Sequence, residues 1–119
     1  MYNEGFSGLD GCMTPLEIDS GTNAWHLYIL GLNLPALAQG RDEAIRSLEE
    51  KGIGTSVHFI PLHLHPAYRR SFGYRPGAFP IAERVFERAI SLPIYPKMTD
   101  ADVGRVVEAV RDTLDSLRR

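Results

Sequence analysis

The chain has 119 residues, 44% hydrophobic and 24% charged, proportions that suit one globular domain burying roughly two-thirds of its unfolded surface. A formal net charge of −2 supplies neither phosphate neutralisation nor a polybasic anchor, so neither nucleic acid nor an anionic membrane is an expected partner. No apolar run nears the ~18 residues of a bilayer crossing, the N-terminus lacks the basic and apolar regions of a signal peptide, and Cys12 is alone, so the expectation is a cytoplasmic domain with no intrachain disulfide.

Met1 to Asn23 holds four glycines with Pro15, Asp10, Asp19 and Ser20 and shows no sustained periodicity. It is expected to be irregular, with Met13 to Ile18 at most a short edge strand. Residues 24–119 form the core of the single domain, 1–119. Trp25 to Leu32 is apolar on both of its alternating faces and predicts a central strand covered on both sides. Pro35 marks the loop from Asn33 to Gly40. Arg41 to Lys51 predicts a helix with Ala44, Ile45 and Leu48 as its stripe and Gly52 where a left-handed cap is wanted.

Gly54 to Phe59 predicts a second strand that Pro61 must end or leave at an edge. Pro66 to Phe72 has room for one or two helical turns, and Arg75-Pro76-Gly77 is a turn. Pro80 suits the first position of another helix, followed by Ala82, Val85, Phe86 and Ala89 at helical spacing. Ser91 to Tyr95 predicts a short strand fenced by Pro93 and Pro96. The last helix opens at Thr99 with Asp102 as a weak capping box. Its stripe is Val103, Val106, Val107, Val110, Leu114 and Leu117. The order β-α-β-α-β-α predicts an α/β (α+β) fold, a small two-layer sandwich of a short mixed sheet with helices packed on one face.

The segment Gly52 to Tyr68 concentrates the chemistry, with His58, His63 and His65 beside two prolines and two aromatic rings. Three readings stand. The histidines form a metal site, since residues 63 and 65 of an extended segment share a face and neutral imidazoles suit zinc. Against it, Pro61 and Pro66 break the backbone, and the nearest carboxylates, Glu49, Glu50 and Glu83, lie on helices. Alternatively the histidines are partly buried and bonded to backbone. Or the segment recognises a polar ligand, because imidazole, phenol and a proline-bent apolar loop offer donors, acceptors and flat surfaces.

Other chemistries find less support. Cys12 has no histidine near it in sequence, and the serines form no nucleophile elbow. Gly52-Ile53-Gly54 lacks the third glycine of a dinucleotide fingerprint. The two lysines, Lys51 and Lys97, sit at a helix end and in an exposed-looking loop, whereas a Schiff-base lysine needs a desolvated pocket. Arg69, Arg70 and Arg75 are read as surface charge, with phosphate binding as the sharper alternative.

The runs Glu49 to Tyr68, Phe72-Gly73-Tyr74, Phe79 to Glu83 and Ser91 to Asp100, with Ala24 to Tyr28 ahead of them, closely resemble the C-terminal portion of the DegT/StrS-type sugar aminotransferases. The resemblance covers nearly the whole chain. It implies the small domain of a fold-type I enzyme that uses pyridoxal phosphate to move an amino group, typically from glutamate, onto a keto-sugar attached to a nucleotide. It further implies that His58, Phe59, Pro61 and His63, with His65 and Tyr68 at the margin, contact the nucleotide-sugar substrate.

The large domain of that family, with its cofactor lysine, acid and ring-stacking residue, has no counterpart in this sequence. The expectation is therefore a chain that is catalytically incomplete, has no catalytic, cofactor-binding or metal-binding residues of its own, and binds no pyridoxal phosphate alone. Two alternatives remain. One is a stand-alone, non-catalytic ligand-binding or oligomerisation module that forms a homo-oligomer through the Trp25 strand or the Ile60 to Tyr68 loop. The weaker one is a histidine metal-binding domain.

Overall fold

A computed structural model describes residues 1–17 and 21–119. Helix α1 (Tyr2–Gly5) leads to strand β1 (Cys12–Met13), then to β2 (Tyr28–Leu32). Helix α2 (Arg41–Glu50), α3 (Pro66–Phe72) and α4 (Pro80–Arg88) precede β3 (Ala89–Leu92), and α5 (Asp100–Ser116) closes the chain. The three strands pair in the order β1-β2-β3, with Tyr28 opposite Leu92 and Gly31 opposite both Ala89 and Met13.

The predicted α/β class and layering hold, but every pairing is antiparallel rather than mixed. Residues 54–59, expected as a second strand, form no strand of the sheet. That segment contributes one antiparallel bridge, Ser56 to Ser91. Pro61, which has no N–H to donate, ends the segment.

Strand β2 is central, as expected, but shorter. Trp25 has φ +41° and its N–H donates to Asn23 Oδ1 at 2.8 Å, so a turn occupies the residues predicted to start the strand. Nor is it covered equally on both faces: Tyr28, Leu30 and Leu32 are buried, while Ile29 and Gly31 are half-buried. The buried face meets the stripe of α5, where Val106, Val110, Leu114 and Leu117 are all buried, and Ala44 and Leu48 of α2. Beside this core, the hydroxyls of Ser47 and the buried Thr113 join α2 to α5 at 3.1 Å.

The helix ends follow their sequence signals. Gly52 has φ +75°, its N–H donates to Glu49 O, and that of Ile53 donates to Leu48 O at 2.9 Å, closing α2 with buried Leu48 against buried Ile53. At the start of α5, Thr99 Oγ1 accepts from Asp102 N while Asp102 Oδ2 accepts from Thr99 N, a reciprocal cap worth about 1 kcal/mol. Pro80 occupies the first turn of α4 as expected.

Two features were not anticipated. The N-terminal segment is not simply irregular: Tyr2 and Phe6, four residues apart, place their rings on Tyr28, and Tyr2 Oη donates to Pro93 O at 2.8 Å. A Cβ on Gly5 would lie 2.7 Å from Val107, so α1 meets α5 where no larger residue fits. Burial, then the neighbouring phenols of Tyr28 and Tyr95, push the Tyr2 hydroxyl up to about 12. The expected edge strand is cut to Cys12–Met13; its far end, Ile18, lies outside the described residues.

Helix α4 forms from Pro80 as predicted, yet it buries no residue fully. Ile81 and Val85 are exposed and, with Arg84 and Arg88, border an open groove beside Ile29 and Gly31. One tie to the rest is Arg41, whose guanidinium stands 4.8 Å from the Phe86 ring and donates to Phe86 O.

Candidate functional site

The polypeptide after α2 builds one recess from four short pieces. Pro61 opens a 3-10 turn, Leu62–Leu64, that turns His63 inward. Pro66 starts α3, whose first proline has no N–H to leave unpaired. Tyr68 and Phe72, one turn apart on α3, stack with centroids 6.0 Å apart, and Phe72 stacks in turn on Tyr74 at 5.7 Å. Gly73, at φ +69°, ends the helix and lets the chain fold back toward Phe79. The result is a cavity of about 440 Å³ whose walls include Pro61, His63, Tyr68, Phe72, Tyr74 and Phe79.

His63 is its polar centre, at 5% exposure. Its Nε2 donates to Glu83 Oε1 at 2.8 Å, and its ring lies 4.8 Å from that of Phe79. Glu83, from the first turn of α4, also accepts the backbone N–H of Gly77 at 2.8 Å and of Phe79 at 3.3 Å. The Gly77 N–H, then the His63 hydrogen bond, hold its carboxyl below the ordinary 4.5, with burial opposing. One carboxylate thus ties the 3-10 turn, the Gly77 turn and α4 together. Glu83, set aside above as lying on a helix, does reach a histidine.

The six predicted substrate contacts divide. Pro61, His63 and Tyr68 line the cavity. His58 and Phe59 are not among its lining residues. They sit at the β3 side, where His58 Nδ1 lies 2.8 Å from Ser91 Oγ and 3.4 Å from Ser56 Oγ. The peptide bond between them is cis. Phe59 packs edge-on against the His58 ring at 4.6 Å and is 73% exposed. His65 takes the N-cap position of α3, where its carbonyl accepts from Arg69 N, and its side chain is likewise not among the lining residues.

The histidines are therefore held by separate partners. Among the described residues no three His, Cys, Asp or Glu side chains stand close enough to share a metal ion. Cys12 is half-buried and its thiol is pushed up to about 11, mainly by burial, so little thiolate forms at neutral pH. Arg69, Arg70 and Arg75 border a second, open recess on the other side of Tyr74.

Residues 1–111 match the DegT/DnrJ/EryC1/StrS aminotransferase family. The chain belongs to that family. Within it, the uncharacterized protein MJ1066 of Methanocaldococcus jannaschii is 54% identical over 118 residues, 99% of this chain and 31% of that protein. The spore coat polysaccharide biosynthesis protein SpsC of Bacillus subtilis is 47% identical over 112 residues, 93% of this chain and 29% of its own length. The sugar aminotransferase Spr1654 of Streptococcus pneumoniae, described as putative and solved in a PLP-form among others, superposes with a TM-score of 0.85 at 28% identity. The match covers 97% of this chain and 28% of Spr1654 in its PMP-form. The chain thus spans under a third of the length of the DegT-family relatives it matches.

The residues present do not fit a Schiff base to pyridoxal phosphate. Lys51 is exposed at the end of α2 and donates to Ser47 Oγ at 3.0 Å, and Lys97 is exposed in the loop before α5. Neither ammonium is desolvated, as a reactive lysine amine requires.

Proposed function

We propose that this chain is the small, C-terminal domain of a pyridoxal-phosphate-dependent nucleotide-sugar aminotransferase of the cytoplasm, converting keto-sugars to amino-sugars for polysaccharide synthesis. In this reading the chain walls the sugar-nucleotide site and does not perform the transfer. The carrying observation is the recess of about 440 Å³, in which the only deeply buried histidine sits among four aromatic rings. Flat apolar faces suit a nucleobase or the apolar face of a sugar, and a few placed polar groups fix orientation. Pro61, His63 and Tyr68 are the proposed inner contacts, and His58, Phe59 and His65 the outer ones.

Titrating the isolated, isotope-labelled chain with nucleoside diphosphate sugars tests this. Saturable amide shifts confined to residues 58–79 are expected. Tyr74→Ala should weaken binding about three- to tenfold, corresponding to ~0.5–1.5 kcal/mol for one well-placed aromatic contact. Shifts at Arg69, Arg70 and Arg75 with none at Leu62, His63 and Phe79, or no shifts at all, would discard the reading.

A second reading, a self-associating module, is favoured by the apolar surface. Phe59, Ile60, Leu62, Phe72, Ile81 and Val85 are all exposed, and extended apolar patches generally find a partner. Self-association is proposed through the Ile60–Tyr68 loop, because Trp25, the other expected contact, already packs on Tyr28 at 5.5 Å. Sedimentation at increasing concentration should show dimers that Leu62→Asp disperses; a strict monomer rejects it.

A further inference from the structure

Ser91 is a polar residue in a strand that is otherwise Ala89, Ile90 and Leu92, and all four are buried. Its backbone is already used: the N–H donates to Ser56 O at 2.7 Å and the carbonyl accepts from Ser56 N at 3.2 Å. Only the hydroxyl is left, at 4% residue exposure, and its one hydrogen-bond partner among the described residues is His58 Nδ1 at 2.8 Å. If Nδ1 carried a proton and donated it, the hydroxyl proton would have no acceptor, a costly state for a buried polar group. The hydroxyl therefore donates and Nδ1 accepts. A neutral imidazole has one proton, which must then reside on Nε2.

Nδ1 is the ring nitrogen turned toward the sheet, so Nε2 faces away from it and makes no hydrogen bond to a described residue. Phe59, edge-on to the ring, limits its rotation. Ser56 Oγ is exposed and 3.4 Å from Nδ1, a weaker second donor. We propose that Ser91 is a positioning residue: it locks His58 in the Nε2–H tautomer and so presents one fixed N–H donor to an acceptor oxygen. That the acceptor is a hydroxyl or phosphate oxygen of a nucleotide-sugar rests on the reading above; the tautomer does not.

The test is the imidazole nitrogen spectrum of the labelled chain at a pH where the rings are neutral, with His58 assigned through His58→Gln. Wild type should show His58 protonated on Nε2 alone, with its two nitrogen resonances widely separated. Ser91→Ala should collapse that separation toward the average of two exchanging tautomers, and Ser91→Thr, which keeps the hydroxyl, should restore it. Ser56→Ala should leave it unchanged, and unmoved His63 resonances report an intact fold in each variant. A proton on Nδ1 in wild type, an unaltered separation in Ser91→Ala, or a collapse in Ser56→Ala overturns the proposal. Adding UDP-glucose and dTDP-glucose separates the two readings. A shift of the Nε2–H signal supports both, whereas the expected tautomer with no ligand-induced shift supports Ser91 as positioner and overturns the nucleotide-sugar reading at His58.

Discussion

Leu30→Ala should lower the stability of this domain by about 2–5 kcal/mol, a large part of the ~5–15 kcal/mol that holds a typical domain folded. Leu30 is 2% exposed in the middle of β2 and faces the layer built by α1, α2 and α5. Its neighbour Ile29 points to the opposite face, where the groove beside α4 leaves it half-buried. Ile29→Ala should therefore cost only about 1 kcal/mol, since little apolar area is removed from water there. Urea unfolding of both variants by circular dichroism makes the comparison. Equal losses would mean that the groove is filled in solution, and the one-sided sheet would be wrong.

Glu83→Gln should flatten the acid side of the stability profile. The Glu83 carboxyl lies below its ordinary 4.5 because it accepts from Gly77 N–H first, then from His63, and also from Phe79 N–H. A carboxyl depressed in the folded state binds fewer protons there than in the unfolded chain. Its stabilisation is therefore complete above about 4.5 and is lost as pH falls through the folded value. The amide cannot ionise, so the variant should melt at a lower temperature than wild type at neutral pH and show a flatter acid limb. The two melting curves should approach each other as pH drops. Melting temperatures that differ by a constant amount across the acid range would show that Glu83 does not gather those donors. Because Phe79 and His63 are both its partners, the same variant should also loosen the aromatic recess.

Much of the helical framework was legible. Helix α5 announced itself through a valine-leucine stripe and the Thr99–Asp102 pair, and both are present as read. Helix α2 and its Gly52 cap and the opening of α4 at Pro80 follow from local backbone rules, whereas β3 runs over Ala89–Leu92 rather than the expected Ser91 to Tyr95 because Pro93 ends it. The N-terminal helix was not legible, since four residues carry no period. Its signal was the pair Tyr2 and Phe6, whose destination, Tyr28, lies far along the chain. For α4, periodicity gave the helix but not what covers its apolar edge.

At the site, sequence singled out the Gly52 to Tyr68 segment, and three of the residues named there, Pro61, His63 and Tyr68, line one recess. It missed Phe72, Tyr74 and Phe79 as its other walls, and it missed Ser91 and Glu83. A carboxylate four residues after the Phe79 cap, near backbone donors at a turn, was the available hint for Glu83. For Ser91 the hint was a hydroxyl in an apolar strand.

The sequence by itself determined the longer helices α2, α4 and α5, the caps at Gly52 and Thr99, the family and the concentration of histidines in one loop, because these depend on residue order over a few turns. Only the tertiary structure decided that the sheet is antiparallel, that the Ile29 side of β2 is only half covered, and which side chains His58 and His63 meet. Those outcomes depend on contacts such as His58 with Ser91, 33 residues apart, and His63 with Glu83, 20 apart. Each forms only once the packing of the layers has brought distant backbone into register.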